Sequence, residues 1–335
     1  MPSFRTGVVT AILSERTGLQ RVEVGGEKAY VLTKLVGPVA VGDRVVMNTT
    51  AVDLGLGTGG WHVVHWNLAR ESWSQPGPGH IMKLRYTSLQ VDTGAAEELA
   101  PFDAATRLAG SPVVVCGLHS QVACVAAAFK QTAPGRRLTY VMTDGGALPL
   151  ALSDLVADLR AKSLLDATVT CGHAFGGDHE AVNLHSALQV AGAMTDADAV
   201  VVAMGPGVVG TGTETGTTAL EVATAIDAVS ALGGRPVAVV RYSDADARER
   251  HRGVSHHTVT ALGWARSRAI VAVPVGELHP DVGDHDIVPV DVPDMAPLLA
   301  ARGLTVTTMG RGPDEDPGFF RYAGAAGVAA ATLLG

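Results

Sequence analysis

The chain contains 335 residues, of which 47% are apolar and only 17% charged, and its formal net charge is −8. This length exceeds the roughly 300 residues at which single hydrophobic cores stop growing, so we expect two domains. No basic stripe is present, which argues against a nucleic-acid partner.

Apolar patterning and cysteine usage limit the cellular setting. No apolar run reaches the roughly 20 residues of a membrane-spanning helix, and we expect no membrane partner. The three cysteines form no CxxC pair, which favours a reducing compartment, and we expect a cytoplasmic location. The scarcity of charged residues leaves apolar surface to bury, so we expect a homo-oligomer, most simply a dimer.

The first part of the chain has the pattern of a small β-rich module. Four short β-type runs alternate with turn-rich segments, at residues 7–13, 20–24, 29–35 and 44–49, as in a small barrel or curled sheet. A Pro-Gly-Pro-Gly breaker at residues 76–79 precedes residues 81–91, whose alternation predicts a half-buried strand. We therefore predict a barrel-like module over residues 1–92 and a second domain over residues 93–335, joined by the segment 93–112.

Beyond Pro112, short apolar strands alternate with amphipathic helical patterns. The predicted strands lie at residues 113–116, 138–142, 167–171, 199–204, 237–241, 270–275 and 304–308. This alternation predicts an α/β, Rossmann-like domain with a mainly parallel sheet and helices on both faces. Because ligands bind beyond the carboxyl ends of parallel strands, the strand-to-helix loops form the candidate site.

The first two of these loops carry a histidine, a serine and an aspartate. His119 and Ser120 follow the first strand, in a setting that partly matches a nucleophile elbow; the alternative is that Ser120 caps the next helix. Asp144, followed by Gly145 and Gly146, has the pattern of a metal-binding or general-base carboxylate approached closely by a ligand. A simple tight turn is the alternative for this loop.

The third loop, over residues 172–180, is the richest in titratable groups. His173, Asp178 and His179 could hold a divalent metal ion or act as an acid–base pair. Their spacing matches no standard metal motif. The alternative role for Asp178 is to cap the helix that follows.

The fourth loop predicts a cradle for a phosphate or carboxylate. Its glycines let backbone N–H groups approach an anion, its threonines add hydroxyl groups, and a helix N-terminus follows. The predicted ligand-binding residues here are Gly205, Gly207, Gly210, Thr211, Gly212 and Thr213. Neutral ligands rich in hydroxyl groups would also fit, and Thr218 with Glu221 fits a helix capping box.

The segment that follows residues 237–241 contains the concentrated positive charge of this acidic chain. Arg250, with Arg252 nearby, could bind an anionic group of a substrate. His256 and His257 would close over the same ligand. A solvated helix end is the alternative for such a charged run.

Three segments together resemble the bacterial family called domain of unknown function 3866. They are the Gly-His-Ala-Phe-Gly-Gly-Asp-His run at residues 172–179, the Gly-Pro-Gly loop at residues 205–212 and the Arg/His-rich stretch at residues 248–258. The resemblance extends over essentially the whole chain. It implies no activity, so the chemistry has to be inferred from the residues.

The loops together predict an enzyme, of hydrolase or lyase type, that acts on a small anionic molecule bearing phosphate or carboxylate. The predicted catalytic residues are His119, Asp144, His173, Asp178 and His179, and the last four are candidate ligands for a divalent metal. A ligand sensor without turnover and a purely structural oligomer are the alternatives, and a Rossmann dinucleotide enzyme is disfavoured because its fingerprint is absent.

The same reading predicts that distant segments converge on one pocket. The six segments are His119, Asp144, His173, His179, residues 205–213 and residues 250–257. A pocket of roughly 300–1,000 Å³ should contain side chains from at least four of them.

Overall fold

A computed structural model describes residues 1–99, 108–277 and 281–335 of the chain. The described residues divide into two units, Met1–Gly94 and Ala95–Gly335. The segment predicted to join the domains, residues 93–112, lies partly outside the described residues.

A closed five-stranded barrel forms the core of the first unit. Its strands are β1 (Phe4–Arg16), β2 (Leu19–Val24), β3 (Glu27–Val31), β4 (Arg44–Asn48) and β5 (Trp61–Asn67). They pair in the order β1-β2-β3-β5-β4, antiparallel except for the parallel pair β3–β5. Alternate residues point inward, so Val22, Ala29 and Val45 fill the barrel. The predicted barrel-like module is confirmed.

Two parts of this unit differ from the prediction. The sequence does not predict β5, which closes the barrel between β3 and β4. The strand predicted over residues 81–91 is wrong: two short antiparallel strands, β6 (Met82–Lys83) and β7 (Val91–Asp92), lie at its ends. Leu84 and Tyr86 have φ angles of 52° and 61°, and this left-handed backbone cannot continue a strand. Short helices α1 (Thr33–Val36) and α2 (Thr50–Asp53) follow β3 and β4.

The second unit contains an eight-stranded parallel sheet. In chain order its strands are β8 (Pro112–Val115), β9 (Leu138–Thr143), β10 (Ala167–Thr170), β11 (His179–Glu180), β12 (Ala199–Met204) and β13 (Arg235–Ala238), then, after a separate hairpin of β14 (Tyr242–Ser243) and β15 (Gly253–Val254), β16 (Ile270–Pro274) and β17 (Asp286–Val290). The order across the sheet is β11-β10-β9-β12-β8-β13-β16-β17. The predicted parallel sheet is confirmed.

Helices cover both faces of this sheet. They are α3 (Ala96–Leu99), α4 (Gln121–Thr132), α5 (Asp154–Ala161), α6 (Leu184–Met194), α7 (Glu221–Ala231), α8 (His256–Trp264), α9 (Met295–Ala301) and α10 (Pro317–Thr332). Side chains of β8 alternate between two cores: Val114 packs with α4 and α10, whereas Val113 and Val115 pack with α6 and α7. Within the described residues, no helix combines the length and the apolar run that crossing a membrane requires.

Two predicted features of the sheet need correction. Residues 304–308 were expected to form a strand, but in the structure they form an irregular segment with one isolated bridge between Thr308 and Arg311. The edge strand beside β16 is β17. On the other side, the loop after β10 turns back and adds β11 as a short parallel strand, so His179 lies in a strand and not at a loop tip.

The strand order creates a switch point between β12 and β8. The chain leaves β8 into α4, which belongs to one core, and leaves β12 toward α7, which belongs to the opposite core. Because the two connections run to opposite faces, a crevice opens above the carboxyl ends of these neighbouring strands.

Close packing of α4 against α10 depends on glycine. A Cβ atom at Gly327 would overlap the carbonyl oxygen of Val125, whereas one at Gly263 in α8 would meet no atom within 4 Å. We expect Gly327→Ala to lower the free energy of unfolding by about 1–3 kcal/mol, because the two backbones must separate. Gly263→Ala should be neutral or stabilising by up to about 1 kcal/mol. Urea unfolding followed by circular dichroism tests this, and equal effects of the two substitutions would contradict the packing argument.

Candidate functional site

A cavity of about 490 Å³ lies at the switch point between β12 and β8. The loop after β8 contributes His119 and Ser120, and the loop after β12 contributes Gly207, Gly210 and Thr211. The segment after β13 completes the wall with basic and imidazole side chains, namely Arg241, Arg248, Arg250, His251 and His257. The volume lies in the predicted range. Only three of the six predicted segments supply lining residues, so the prediction that at least four would converge on this cavity is wrong.

Residues 305–309 form another part of the wall. They are the irregular segment that was expected to be a sheet strand. Since their backbone does not enter the sheet, the exposed side chains of Thr305 and Thr307 can face the crevice.

Two arginines of the cavity wall, Arg241 and Arg248, are held by the buried carboxylate of Asp246. Arg248 donates from Nε and Nη2 to the two carboxylate oxygens of Asp246, at 2.9 and 2.8 Å. Arg241 lies 3.7 Å and Arg311 3.8 Å from the same group. These contacts, led by the hydrogen bonds from Arg248, hold the pKa of Asp246 well below its usual range.

The arginines of the cavity carry more positive charge than the single negative charge of Asp246 can neutralise. Burial, together with repulsion from Arg248, lowers the pKa of Arg241 to about 10, so its guanidinium still carries a charge at neutral pH. Arg250 is exposed and forms no ion pair with any carboxylate in the described ranges. Its side chain is therefore available to a ligand in the cavity.

The loop after β12, residues 205–218 and here called the glycine loop, approaches the cavity with its backbone. Its own hydrogen bonds fold it: the Thr211 amide donates to the Gly216 carbonyl at 2.7 Å, and that of Thr218 to the Val209 carbonyl at 2.8 Å. The amides of Gly207 and Gly210 donate to no acceptor among the residues that the structure describes. They are available for an anion.

The other predicted cradle residues have different positions. Gly205 packs against the backbone of Ala147, where any side chain would overlap the carbonyl oxygen. Thr213 accepts a hydrogen bond from the Gly216 amide within the loop, and neither Thr213 nor Gly212 is among the described lining residues of the cavity. The capping box expected from Thr218 and Glu221 is replaced by Thr217, whose side chain accepts from the Ala219 amide.

Ser120 and His119 occupy the wall at the start of α4. Ser120 is the N-cap residue, but its side chain makes no capping hydrogen bond, nor any other with the described residues. The His119 ring is held on both sides, by the Met204 carbonyl at 3.0 Å from Nδ1 and by the Ser153 hydroxyl at 2.7 Å from Nε2. Burial lowers the pKa of His119 to about 4, so its imidazole is neutral at pH 7.

The predicted residues of the second and third loops lie outside the described cavity wall. The Asp144 carboxylate accepts a hydrogen bond from the His173 amide at 2.9 Å, which joins these two loops. Gly145 lies against the carboxyl group of Glu221 and Gly146 against the Gly205 carbonyl. The loop after β9 therefore packs against the start of the glycine loop.

Asp178 has a structural environment. It accepts hydrogen bonds from the amide and the hydroxyl of Thr168 at 2.8 and 3.0 Å, and its carboxylate lies 3.1 Å from Arg160. These contacts anchor the return of the chain to β11. The helix cap considered for Asp178 is provided by Asn183, which accepts from the Ser186 amide.

Three imidazoles form a cluster beside the arginines. His256 and His257 stand on the first turn of α8, and the β14–β15 hairpin returns the chain so that His251 faces them. The ring centroids of His256 and His257 are 4.1 Å apart, and His251 lies 5.1 and 5.0 Å from them. One ligand atom from each side chain can be chosen so that all three lie within 4.8 Å of one another.

His251 and His257 are buried and neutral at pH 7, whereas His256 is partly buried. Burial first, then repulsion from Arg241, lowers the pKa of His251 to about 3; burial, aided by His256, lowers that of His257 to about 4. Both ring nitrogens of His257 and Nε2 of His256 are buried and have no hydrogen-bond partner in the described parts of the chain. In the described ranges, Asp144, His173, Asp178 and His179 form no comparable group of potential metal ligands.

Sequence reasoning missed His251 and Glu221 as members of this region. His251 stands in the basic run that the sequence does single out, but nothing in its spacing shows that a hairpin returns it to His256. Glu221 follows the threonine-rich loop and has the pattern of a helix cap. In the structure it accepts a hydrogen bond from the Thr143 hydroxyl at 2.7 Å.

A family model matches residues 28–327 of the chain. The chain belongs to the DUF3866 family. The family is described as a protein of unknown function, and the resemblance seen in the sequence is confirmed. No curated protein and no solved structure matches this DUF3866 chain.

The buried carboxyl of Glu221 predicts a pH dependence in this DUF3866 protein. Burial raises its pKa from 4.5 to about 7. Between these values the folded state holds a proton that the unfolded chain releases, so rising pH lowers the free energy of unfolding. We expect Glu221→Gln to remove this loss, at most about 3 kcal/mol.

Urea unfolding at about pH 5 and about pH 8 measures the effect. The stability of Glu221→Gln relative to the unmodified chain should rise with pH, whereas the exposed Glu249→Gln control should show no such trend. A constant difference between Glu221→Gln and the unmodified chain at both pH values would contradict the assignment.

Proposed function

We propose that this DUF3866 protein is an enzyme that acts on a small anionic molecule, bearing phosphate or carboxylate, in the cavity at the switch point. The observation that carries the proposal is the convergence of Arg241, Arg248 and Arg250 on one cavity in a chain whose net charge is −8. A concentration of positive charge at a cavity, in a chain of negative net charge, favours an anionic ligand.

Three kinds of group would bind the anion in the proposed site. Arg250 would contact the anion directly, since it has no ion pair in the described residues. Arg241 and Arg248 are oriented beforehand by Asp246, which reduces the entropy lost on binding. The amides of Gly207 and Gly210 would supply uncharged donors to the same anion.

Ser120 and the neutral histidines of the wall support an enzyme over a sensor. Ser120 presents a hydroxyl that has no hydrogen-bond partner among the described residues, at the N-terminus of the 12-residue helix α4, where an anion is favoured by the helix dipole. Neutral imidazoles can act in acid–base or metal chemistry. We propose hydrolase or lyase chemistry on this basis. The catalytic roles predicted for Asp144, His173 and His179 stay predictions, and the contacts of Asp178 favour a structural role.

Inorganic pyrophosphate and citrate are suitable probes for the site. We expect saturable binding of at least one of them in isothermal titration calorimetry at low salt. Arg250→Gln should weaken binding about tenfold or more, because a charged hydrogen bond contributes about 1.5–3 kcal/mol.

Arg252→Gln is the matched control. It removes the same charge only two residues from Arg250, but the Arg252 side chain lies outside the described cavity wall. If both substitutions weakened probe binding equally, the effect would come from the overall positive charge of this segment and not from a direct contact with Arg250. Absence of saturable binding of either probe would contradict the proposed function. Native mass spectrometry of the purified protein would show whether an anion is retained.

We also propose a cytoplasmic homo-oligomer, most simply a twofold dimer. Only 17% of the residues are charged, and the exposed side chains of Val209, Trp264 and Met309 are apolar surface that a second copy would bury. The three cysteines are buried thiols, which supports a reducing compartment. Light scattering at micromolar concentration should give twice the mass of one chain, and a monodisperse single-chain species would contradict the dimer.

A further inference from the structure

We infer that His251, His256 and His257 bind one divalent transition-metal ion, of the kind that favours imidazole ligands, at the wall of the cavity. Candidate ligand atoms of the three side chains lie within 4.8 Å of one another. His251 and His257 also line the cavity, so an ion between the three rings would be reached from it.

The strongest evidence is the unsatisfied polar character of the cluster. His257 is only 6% exposed, yet neither of its ring nitrogens has a partner in the described residues, and Nε2 of His256 is in the same condition. Buried polar atoms in proteins are almost always paired. A neutral imidazole has one N–H and one lone pair, and three such nitrogens held close together can bind a metal ion through their lone pairs.

The surroundings of His251 fit a metal ligand. Its Nδ1 lies 2.8 Å from the Ser255 hydroxyl, which also accepts the amide of His257 as the cap of α8. A metal-binding histidine usually donates its other ring N–H to such an acceptor, which orients the ring. Nε2 of His251 is then the nitrogen left for the ion.

Only a small contraction separates the present arrangement from a coordination sphere. Tetrahedral zinc with three histidines needs ligand nitrogens about 3.3 Å apart, given bond lengths near 2.05 Å. The present separations reach up to 4.8 Å. Rotation of the His256 side chain, which is only partly buried, would shorten these separations. A fourth position is left for water or substrate, as in catalytic zinc sites.

Charge determines how such an ion would bind. Arg241 and Arg250 line the same cavity as His251 and His257, so a lone divalent cation meets repulsion there. An anion in the cavity would offset it. We therefore expect metal and anion to strengthen each other's binding, as thermodynamic coupling requires. This coupling, and any catalytic use of the ion, rests on the proposed function.

Metal binding by the full chain, stripped of metal and free of any affinity tag, tests the inference. Zinc is titrated in competition with a chromogenic chelator, and cobalt is used as a spectroscopic probe of tetrahedral nitrogen coordination. We expect one ion per chain. His256→Gln and His257→Gln should each reduce zinc affinity about tenfold or more and abolish the cobalt spectrum.

His185→Gln is the control, because His185 is an exposed histidine on α6 outside the cluster and should leave zinc affinity unchanged. His251 is almost completely buried, and its variant is avoided because it could fail to fold. Circular dichroism confirms the fold of the variants that are used. Absence of saturable binding by the unmodified chain, or unchanged affinity in both cluster variants, would overturn the inference.

A second titration separates this result from the proposed function. Pyrophosphate is titrated into the metal-free chain and into the zinc-loaded chain. Tighter pyrophosphate binding to the loaded chain is expected. Equal pyrophosphate affinity of the two forms would contradict the coupling between metal and anion. Pyrophosphate binding without any zinc binding would refute the metal site but not the proposed anion site.

Discussion

The opposite directions in which the chain leaves β8 and β12 are the constraint on which the site depends. Neighbouring parallel strands whose helices pack on opposite faces cannot close the space above their carboxyl ends. The loops with His119 and Gly207 border this space for that reason, and not because of any attraction between them. The second unit therefore has a cavity by topology, and its chemistry depends on the side chains that later segments bring to it.

Asp246 is the main electrostatic support of that cavity. Asp246 is 3% exposed, and its carboxylate lies within 4 Å of Arg241, Arg248 and Arg311. Several like charges held together in a buried place repel one another, and a shared carboxylate reduces this repulsion without cancelling it. The result is a fixed basic surface, which a set of solvated arginines on a helix end would not provide.

Much of the architecture could be predicted because it depends on local patterns. Apolar runs such as Val113–Val115 alternate with helical segments, and this period identifies buried parallel strands and their loops. Pairing at the sheet edges depends on contacts far apart in sequence, so β17 was not predicted and residues 304–308 were wrongly placed in the sheet. Backbone conformation at Leu84 and Tyr86 also lies outside what periodicity can show.

The sequence could identify the loops that form the candidate site, but not which of their side chains find hydrogen-bond partners within the protein. Asp178 and His257 are both polar residues in or beside a strand-to-helix connection, and the sequence does not distinguish them. The difference arises in three dimensions: Thr168 and Arg160 satisfy Asp178, whereas His257 is buried without a partner in the described residues. Satisfaction of buried polar atoms depends on the packed structure, and it is the property that separates a structural residue from a candidate ligand.

The two outer strands of the parallel sheet have a consequence for how copies of this chain could meet. β11 is only two residues long, and β17 contains Pro289, which has no amide hydrogen to offer to another strand. Short or proline-containing edges prevent a sheet from being extended by a neighbour. Continuous sheets across two copies, and the fibrous aggregation that exposed edges promote, are thus disfavoured at both ends of this sheet.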